Sequence, residues 1–384
     1  MRAPDPSTDY RKAGLIALIL AIVLIVTWEF YWRSAGKTPD LDDGKELWAS
    51  QREKVDDLDR EDVVIFGSSR VLFDIQLDQW EAVTGRRPVQ LASAGTSPLP
   101  AFRDLVRESE FKGIAVVGVA PGLFFKTIDP GFYPWKRMEN RVEYFHNKTL
   151  ANRFNYWLSL PLDQNLAMAS AGEESWDDNI DLKALVGRWK VGERTGKPFK
   201  PFYNFGAIDL DRNMRMTERT ANDTAFANTV INAWGVEDKL KKMNEETKNM
   251  EDISEEDLSE EAGAEGEKEL EKKGEGPDIA GVIDYFSEDV KRFRERGGKV
   301  ILVRCPSNGA FRELESLSLP RDTAWDVLVE LVQVPGIHFE DHPGLNQFHC
   351  PELSHLSAGD ADIFTRELVN ILVQKDLLKN PKAE

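Results

Sequence analysis

The fold is decided by a short apolar run and the turn that ends it, Asp62–Arg70, which reads DVVIFGSSR. Val63–Phe66 is wholly apolar and stops at Gly67, as a buried strand of a parallel sheet does. Glycine followed by small hydroxyl residues makes a sharp turn into the next helix. Such a turn places a serine at the open edge of the sheet, with backbone N–H groups pointing to where an oxyanion would form. A plain turn in which Ser69 caps the helix is the alternative.

Further apolar runs predict the other strands of this sheet. They are Val89–Leu91, Ile114–Val119, Val300–Val303 and Ile337–Phe339. Helical patterns accompany them at Ile279–Arg296, which glycines end, and at Ala358–Gln374, where apolar residues recur at helical spacing. Strands that alternate with helices predict an α/β domain with a parallel, doubly wound sheet. Its functional site is expected at the carboxyl ends of the strands.

An apolar run near the N-terminus, Ala13–Trp32, predicts a membrane anchor. Twenty helical residues rise about 30 Å, the thickness of a bilayer's hydrocarbon core. Aromatic residues cluster at the end of the run, as in an interfacial belt: Trp28, Phe30, Tyr31 and Trp32. A cleaved signal peptide and a buried core helix are the alternatives, but bulky aromatics stand where a small-x-small cleavage site would be. Arg11 and Lys12 favour a cytoplasmic tail at 1–12, an anchor at 13–33 of a cytoplasmic (inner) membrane, and an extracytoplasmic main domain.

The rest of the chain divides by composition. Residues 34–60 are polar and predict a juxtamembrane stalk, with a helical stretch around Gly44–Lys54. The α/β domain is expected in two halves, 61–123 and 278–376, followed by a tail at 377–384.

Two segments separate the halves of the domain. Residues 124–247 are rich in Trp, Tyr, Phe, Asn and Asp without a clean period, which indicates an insertion of helices and loops that covers the active edge of the sheet. Residues 248–277 are charged and lack aromatics, which predicts a disordered or loosely helical segment. The chain has a formal net charge of -18, to which this acidic stretch contributes strongly, and an acidic surface excludes nucleic acid as a partner.

A second motif with residues suited to catalysis lies near the C-terminus, at Cys350–Leu356, which reads CPELSHL. A carboxylate three residues before a histidine, as Glu352 is before His355, can sit one turn away and orient the imidazole. The histidine can then remove a proton from a serine. Three of the other histidines crowd the same region, namely His338, His342 and His349. Their spacings fit no common ligand pattern, so the sequence predicts no metal site and no cofactor.

Together, three motifs resemble the SGNH (GDSL-like) hydrolase superfamily: Gly-x-Ser after the first strand, a glycine after the second, and acid-x-x-His near the C-terminus. The similarity is to its membrane-anchored branch, which includes the D-alanyl transfer protein of teichoic-acid assembly and the alginate O-acetylation proteins. It covers roughly Asp62–Gly122 and Ile279–Leu372. The resemblance implies a three-layer α/β/α domain.

Carried over by position, the resemblance makes Ser69 the nucleophile, His355 the general base and Glu352 the group that orients it. The backbone N–H groups of Ser69 and Gly95 would form the oxyanion hole. The superfamily more often has Asp before His, and its third block supplies a Gly-x-Asn that Gly118–Gly122 lacks. Loss of one oxyanion donor costs about 3 kcal/mol of transition-state stabilisation.

Four more residues are placed at this edge of the sheet by the predicted topology. Arg70 and Arg304 are candidates to hold an anionic group of a substrate, or else they form salt bridges. Cys305 and Cys350 are the only cysteines. They are candidates for a disulfide in an oxidising compartment, or else they are two buried thiols.

These expectations predict a membrane-anchored serine O-acyltransferase or esterase that acts on an envelope or exported polysaccharide. An acyl group would pass through an acyl-serine at Ser69 to a sugar hydroxyl or to water. The resemblance further implies a membrane-bound O-acyltransferase as partner. The alternative is a catalytically degenerate domain that binds polysaccharide or scaffolds an envelope complex, which the missing Asn favours.

Overall fold

The computed structural model describes residues 10–35, 38–125, 132–170, 204–245 and 278–379. The predicted acidic segment 248–277 lies outside the described residues, as does part of the predicted insertion. The helices of the described residues are α1 Tyr10–Ser34, α2 Lys45–Lys54, α3 Ser69–Asp74, α4 Leu77–Thr84, α5 Leu99–Glu108, α6 Pro121–Phe124, α7 Tyr133–Asn147, α8 Leu150–Asp163, α9 Ala167–Ser170, α10 Glu218–Asn222, α11 Thr224–Trp234, α12 Ile279–Glu295, α13 Gly309–Ser318, α14 Trp325–Val332 and α15 Ala358–Gln374. Short 3-10 turns are formed by Val55–Asp57 and Phe339–Asp341, and residues 236–245 are also helical.

A five-stranded parallel sheet forms the centre of the larger of two compact units, Asp43–Lys148 with Leu182–Glu384. In spatial order its strands are β2 Val89–Gln90, β1 Val63–Phe66, β3 Ile114–Gly118, β6 Lys299–Arg304 and β7 Gly336–His338. The register aligns Ile65 with Val116, and Val116 with Ile301. The predicted α/β class and parallel sheet are confirmed, with strand ends that differ by at most one residue from those expected.

Helices cover both faces of this sheet because its strands are apolar on both sides. Alternate strand residues such as Val64 and Val117 belong to one buried cluster with Phe102 of α5, Phe286 of α12 and Leu328 of α14. The residues between them in the strands are equally buried and face the other way, the side on which Val71 of α3 packs against Gly118. Helix α15 packs on α3 and α4. A small antiparallel hairpin follows along the chain, β4 Gly206–Ile208 with β5 Met214–Met216.

Much of the segment expected to be a stalk is instead part of the folded domain. Trp48 of α2 is fully buried, and its indole N–H donates to the carbonyl of Leu91 at 3.0 Å. Arg52 pairs with Asp104 at 2.7 Å, and both side chains are buried. The polar composition of 34–60 concealed this because its few buried apolar residues stand among many charged ones.

The smaller unit comprises Met1–Asp42 and Thr149–Asp181 and contains α1, α8 and α9. Among the described residues, α1 is the one helix long and apolar enough to cross a membrane, with a mean hydropathy of 2.5 and no buried residue. Near its end, the Glu29 carboxylate accepts hydrogen bonds from the N–H groups of Ala167 and Met168, both at 3.0 Å. A single N-terminal helix of membrane-spanning length is therefore present, as the sequence predicted.

Candidate active site

The Gly67–Ser69 turn lies at the point where the strand order reverses. The chain leaves β1 towards β2 and crosses back to β3, a topology that favours a binding site outside the carboxyl ends of β1 and β3. Two glycines allow α3 to sit directly over it. A Cβ at Gly67 would lie 2.6 Å from the Cγ2 of Val71, and a Cβ at Gly118 would overlap the same methyl group. The start of α3 is therefore held against the ends of both central strands.

Ser69 is the first residue of α3, and its side chain is nearly buried, with 8% exposure. Ser68 precedes the helix, and its side chain makes no capping hydrogen bond. The first hydrogen bond of the helix runs from the Leu72 N–H to the Ser68 carbonyl at 3.2 Å. The N–H of Ser69 therefore precedes the bonded ladder, as an oxyanion donor must.

The loop that carries Gly95 is bonded to the serine turn. The Ser93 N–H donates to the carbonyl of Gly67 at 3.0 Å, and the Thr96 N–H donates back to Ser93 at 3.4 Å. Gly95 lies between them with a φ of +65°, in the left-handed region that favours glycine. The two backbone segments expected to form an oxyanion hole are thus neighbours.

Glu352 and His355 form a buried pair, as their spacing predicted. The Nδ1 of His355 lies 2.9 Å from Oε1 of Glu352, and the backbone N–H of His355 donates to the same oxygen at 2.6 Å. The other carboxylate oxygen accepts from the indole N–H of Trp234 at 3.1 Å. Both side chains are fully buried, so the carboxylate fixes the orientation of the imidazole.

The second imidazole nitrogen of His355, Nε2, has no hydrogen-bond partner among the described residues. The ring packs instead against Phe73 and Phe205, with centroid distances of 4.7 and 5.5 Å. Phe73 follows Ser69 by one turn of α3, so both side chains project from the same face of that helix. The imidazole therefore lies beside the face that carries Ser69, without a hydrogen bond to the serine hydroxyl.

Asn308 anchors the loop Cys350–Leu356, the histidine loop, which carries Glu352 and His355. Its side-chain oxygen accepts from the Cys350 N–H at 2.6 Å, and its own N–H donates to the Leu353 carbonyl at 2.9 Å. Leu353, between the acid and the base, has a φ of +74°. A non-glycine residue in that region costs about 1–3 kcal/mol and persists only where the surroundings impose it. Asn308 is one of the residues that impose this strained turn.

Arg70 and Arg304 are both engaged with one buried carboxylate, that of Glu315. Arg70 lies 2.7 Å from one oxygen of Glu315, and Arg304 lies 2.6 Å from the other. Burial lowers the pKa of Arg304 to about 10. Burial opposes ionisation of Glu315 as well, yet the two guanidinium groups lower its pKa. Of the two roles that the sequence offered, the structure has the salt bridge, and Arg70 also donates to the Ser354 hydroxyl at 3.2 Å.

A buried acid that the sequence analysis did not single out, Asp74, ends α3 beneath the site. One of its oxygens accepts from the Leu356 N–H at 2.9 Å, and the other has no partner among the described residues. Burial raises the pKa of Asp74 well above its usual range. Cys305 and Cys350 are free, buried thiols in the structure, and burial raises the pKa of each.

The other histidines of the C-terminal region serve elsewhere. His338 packs against Trp325 and Phe339, and burial lowers its pKa to about 2. His349 borders a cleft of 340 Å³ outside the histidine loop, whose lining also includes Glu218, Pro351 and Ser357. Within the described ranges, no three His, Cys, Asp or Glu side chains come together as a metal site would require.

Sequence reasoning missed several residues that shape this site. Phe205 and Trp234 pack on the imidazole from the predicted insertion, and Trp234 is 118 positions away from Glu352 along the chain. No local pattern reports such contacts. Asp74 did leave a signal, since an acid in the apolar stretch Val71–Ile75 indicates a buried carboxyl group.

Comparison with known proteins adds no relative to this picture: no protein-family model matches the chain, and neither does any curated protein. The residues of the site supply a carboxylate-oriented imidazole with one free nitrogen, a serine at the start of an adjacent helix, and two neighbouring backbone segments at a sheet edge. This is the set of groups that nucleophilic acyl transfer uses.

Proposed function

We propose that the chain is a membrane-anchored serine O-acyltransferase or esterase of the SGNH type, with Ser69 as nucleophile and His355 as general base. The observation that carries the proposal is the unpartnered Nε2 of His355. A buried nitrogen without a hydrogen bond costs about 1–3 kcal/mol, and a catalytic role is one explanation for retaining such a group. Glu352 on the opposite nitrogen gives the imidazole the tautomer that accepts a proton at Nε2.

The reaction follows from these groups in two balanced steps. His355 takes the hydroxyl proton of Ser69 as the serine oxygen attacks the ester carbonyl, and the departing alkoxide receives that proton. The products are an acyl-serine and the free donor alcohol. In the second step an acceptor hydroxyl, or water, loses its proton to His355 and attacks the acyl-serine. This forms the new ester or the free acid and returns the proton to Ser69.

Stabilisation of the tetrahedral oxyanion is assigned to the N–H groups of Ser69 and Gly95. The chain lacks the Asn that supplies a third donor in the superfamily. The activation free energy is therefore expected to be about 3 kcal/mol higher, and turnover slower, unless the acceptor complex provides a donor. Phe205 and Trp234 shield the imidazole and would have to shift for a substrate to reach Nε2.

The resemblance and α1 support a proposal for the substrate class and the location. We expect an exported or envelope polysaccharide as acceptor, a membrane-bound O-acyltransferase as the source of acyl groups, and a larger unit outside the cytoplasm. The aromatic side chains near the site suit a sugar ring, which stacks on such faces.

The test uses the full chain in detergent micelles with a fluorophosphonate probe and p-nitrophenyl acetate. Labelling and turnover should disappear in Ser69→Ala and in His355→Ala. Ser68→Ala is the matched control: it removes a neighbouring buried hydroxyl that makes no capping bond, and it should keep both activities. Labelling that disappears in Ser68→Ala but remains in Ser69→Ala would move the nucleophile by one residue.

A second function, polysaccharide binding without catalysis, is favoured by one observation. His355 is fully buried and makes no hydrogen bond to Ser69. If the folded wild-type chain takes up no probe and hydrolyses no ester, the site is degenerate and the chain acts as a binding or scaffold component.

A further inference from the structure

Helix α8 of the smaller unit carries an apolar stripe on its exposed side. The large side chains of the stripe are 54–82% exposed: Leu150, Phe154, Trp157, Leu158 and Leu162. They recur at intervals of three and four residues, so they form one continuous face along the whole helix. A stripe of this length is unusual on a surface that faces only water.

The opposite side of α8 is the side that packs. Half-buried residues recur there at helical spacing, namely Tyr156, Ser159, Leu160 and Asp163. The apolar stripe is thus the more exposed face of α8, and the helix contacts α9 of its own unit. The capping box that Thr149 and Asn152 form at its start confirms that α8 begins as a well-defined helix.

The position of α8 relative to α1 is fixed within the smaller unit. Only residues 164–166 separate α8 from α9, whose first N–H groups donate to Glu29 of α1. Glu29 lies among the aromatic residues at the end of α1, and Arg33 bonds both Glu29 and the carbonyl of Asn165. The C-terminal end of α8 is therefore tied to α1 at the level of the predicted interfacial belt.

We propose that α8 lies in the plane of the membrane interface, with its apolar stripe immersed in lipid beside the end of α1. A helix that lies flat brings all five stripe residues to one depth, whereas an upright helix would leave half of them in water. Amphipathic interfacial helices bury such a face by about 5–10 Å, and Trp and Phe favour that depth. The occupant of the stripe is lipid because hydrogen bonds through Asn165 and α9 hold the C-terminal end of α8 beside the aromatic end of α1, which is proposed to span the membrane. This inference rests on α1 as a membrane span and is independent of the proposed chemistry.

The test places an environment-sensitive fluorophore on single cysteines of the purified full chain. Leu158→Cys reports on the stripe, and Leu331→Cys on α14 is the matched control, since the two leucines are 57% and 61% exposed. Ile22→Cys in α1 marks the membrane interior. The wild-type chain should take up almost no label because Cys305 and Cys350 are buried.

Each labelled protein is reconstituted in vesicles of phosphatidylethanolamine and phosphatidylglycerol with and without lipids that carry a nitroxide near the headgroup. We expect quenching at position 158 to exceed that at position 331 by about threefold or more, as interfacial immersion requires. Equal quenching at the two positions, with equal access to aqueous iodide, would overturn the proposal and leave the stripe as a surface for a protein partner. Circular dichroism of each labelled protein checks that α8 and the remaining helices are intact.

Discussion

At the scale of single residues, the carboxylate of Glu352 does more than pair with a base. It is fully buried and accepts hydrogen bonds from the imidazole, the backbone N–H of His355 and the indole of Trp234. In Glu352→Gln the amide oxygen can still accept a bond, but it no longer favours the tautomer that leaves Nε2 open. Esterase turnover should fall by about 10²–10⁴ with little change in KM, as measured with p-nitrophenyl acetate.

Trp234→Phe is the control for that substitution. It removes only the indole donor and leaves the imidazole and the carboxylate in place, so turnover should fall by about tenfold or less. Equal losses in the two variants would indicate that packing, and not the tautomer, governs the site.

A pH dependence of stability is expected from Asp74. Its pKa in the folded protein is raised well above the ordinary value of 3.8, so between these two values the folded state binds more protons than the unfolded state. The free energy of unfolding therefore falls as the pH rises through this interval. Asp74→Asn keeps an acceptor for the Leu356 N–H and removes the titration. Urea unfolding at pH 5 and pH 8 should show a smaller loss of stability in this variant than in the wild type.

Asp74→Leu separates charge from hydrogen bonding. It leaves the Leu356 N–H without its acceptor, so it should lower the free energy of unfolding by about 1–3 kcal/mol at both pH values. If Asp74→Asn shows the same pH slope as the wild type, another group titrates.

Prediction at the residue scale succeeded where the relevant spacing was local. The pairing of Glu352 with His355 follows from three residues of separation, and the structure has it. The hydrogen bond from Leu356 to Asp74 joins residues 282 positions apart, and no local sequence pattern at either residue predicts it. The two arginines show a third case, since a buried Arg at a sheet edge suits either a substrate or a carboxylate, and only the fold brings Glu315 to them.

At the scale of elements, the site depends on how closely α3 approaches the strands. Val71 fills the space left by Gly67 and Gly118, and a Cβ at Gly118 would overlap it. Gly118→Ala should therefore displace α3, lower the free energy of unfolding by about 1–3 kcal/mol and reduce labelling of Ser69.

Val71→Ala in the Gly118→Ala background removes the methyl groups that clash. The double variant should recover part of both losses, which a double-mutant cycle of thermal unfolding and probe labelling measures. Additive losses would show that Gly118 is needed for its backbone alone and would contradict the steric explanation.

The elements that the sequence predicted are those with a strong pattern of their own. β1, β3 and β6 are uninterrupted apolar runs, and α15 has an apolar face at regular spacing. α2 was predicted as a helix but assigned to a stalk, because the burial of Trp48 depends on a groove formed by distant segments. The sequence pattern did not indicate the outward stripe of α8, because Asn, Ser and Pro are interspersed among its apolar residues.

At the scale of the whole molecule, the orientation across the membrane decides whether the proposed chemistry is possible. An acceptor polysaccharide outside the cytoplasm requires the larger unit on that side. The charges that flank the apolar run Ala13–Trp32 bear on this: Arg11 and Lys12 precede the run, whereas Arg33 and Lys37 follow it together with three aspartates. Basic residues favour the cytoplasmic side, so Arg11 and Lys12 favour a cytoplasmic N-terminus, whereas Arg33 and Lys37 oppose it.

Cysteine accessibility in membrane vesicles measures that orientation directly. Leu331→Cys is exposed on the larger unit, Ser7→Cys lies before the span, and the two native thiols are buried. With a membrane-impermeant maleimide, Leu331→Cys should react in right-side-out vesicles and Ser7→Cys only in inverted ones. The reverse pattern would place the larger unit in the cytoplasm, where an exported polysaccharide cannot be the acceptor, while leaving the chemistry of Ser69 and His355 open to a cytoplasmic ester. Labelling of neither position in right-side-out vesicles, but of both in inverted vesicles, would mean that α1 does not span the bilayer, and the interfacial role of α8 would then lose its basis.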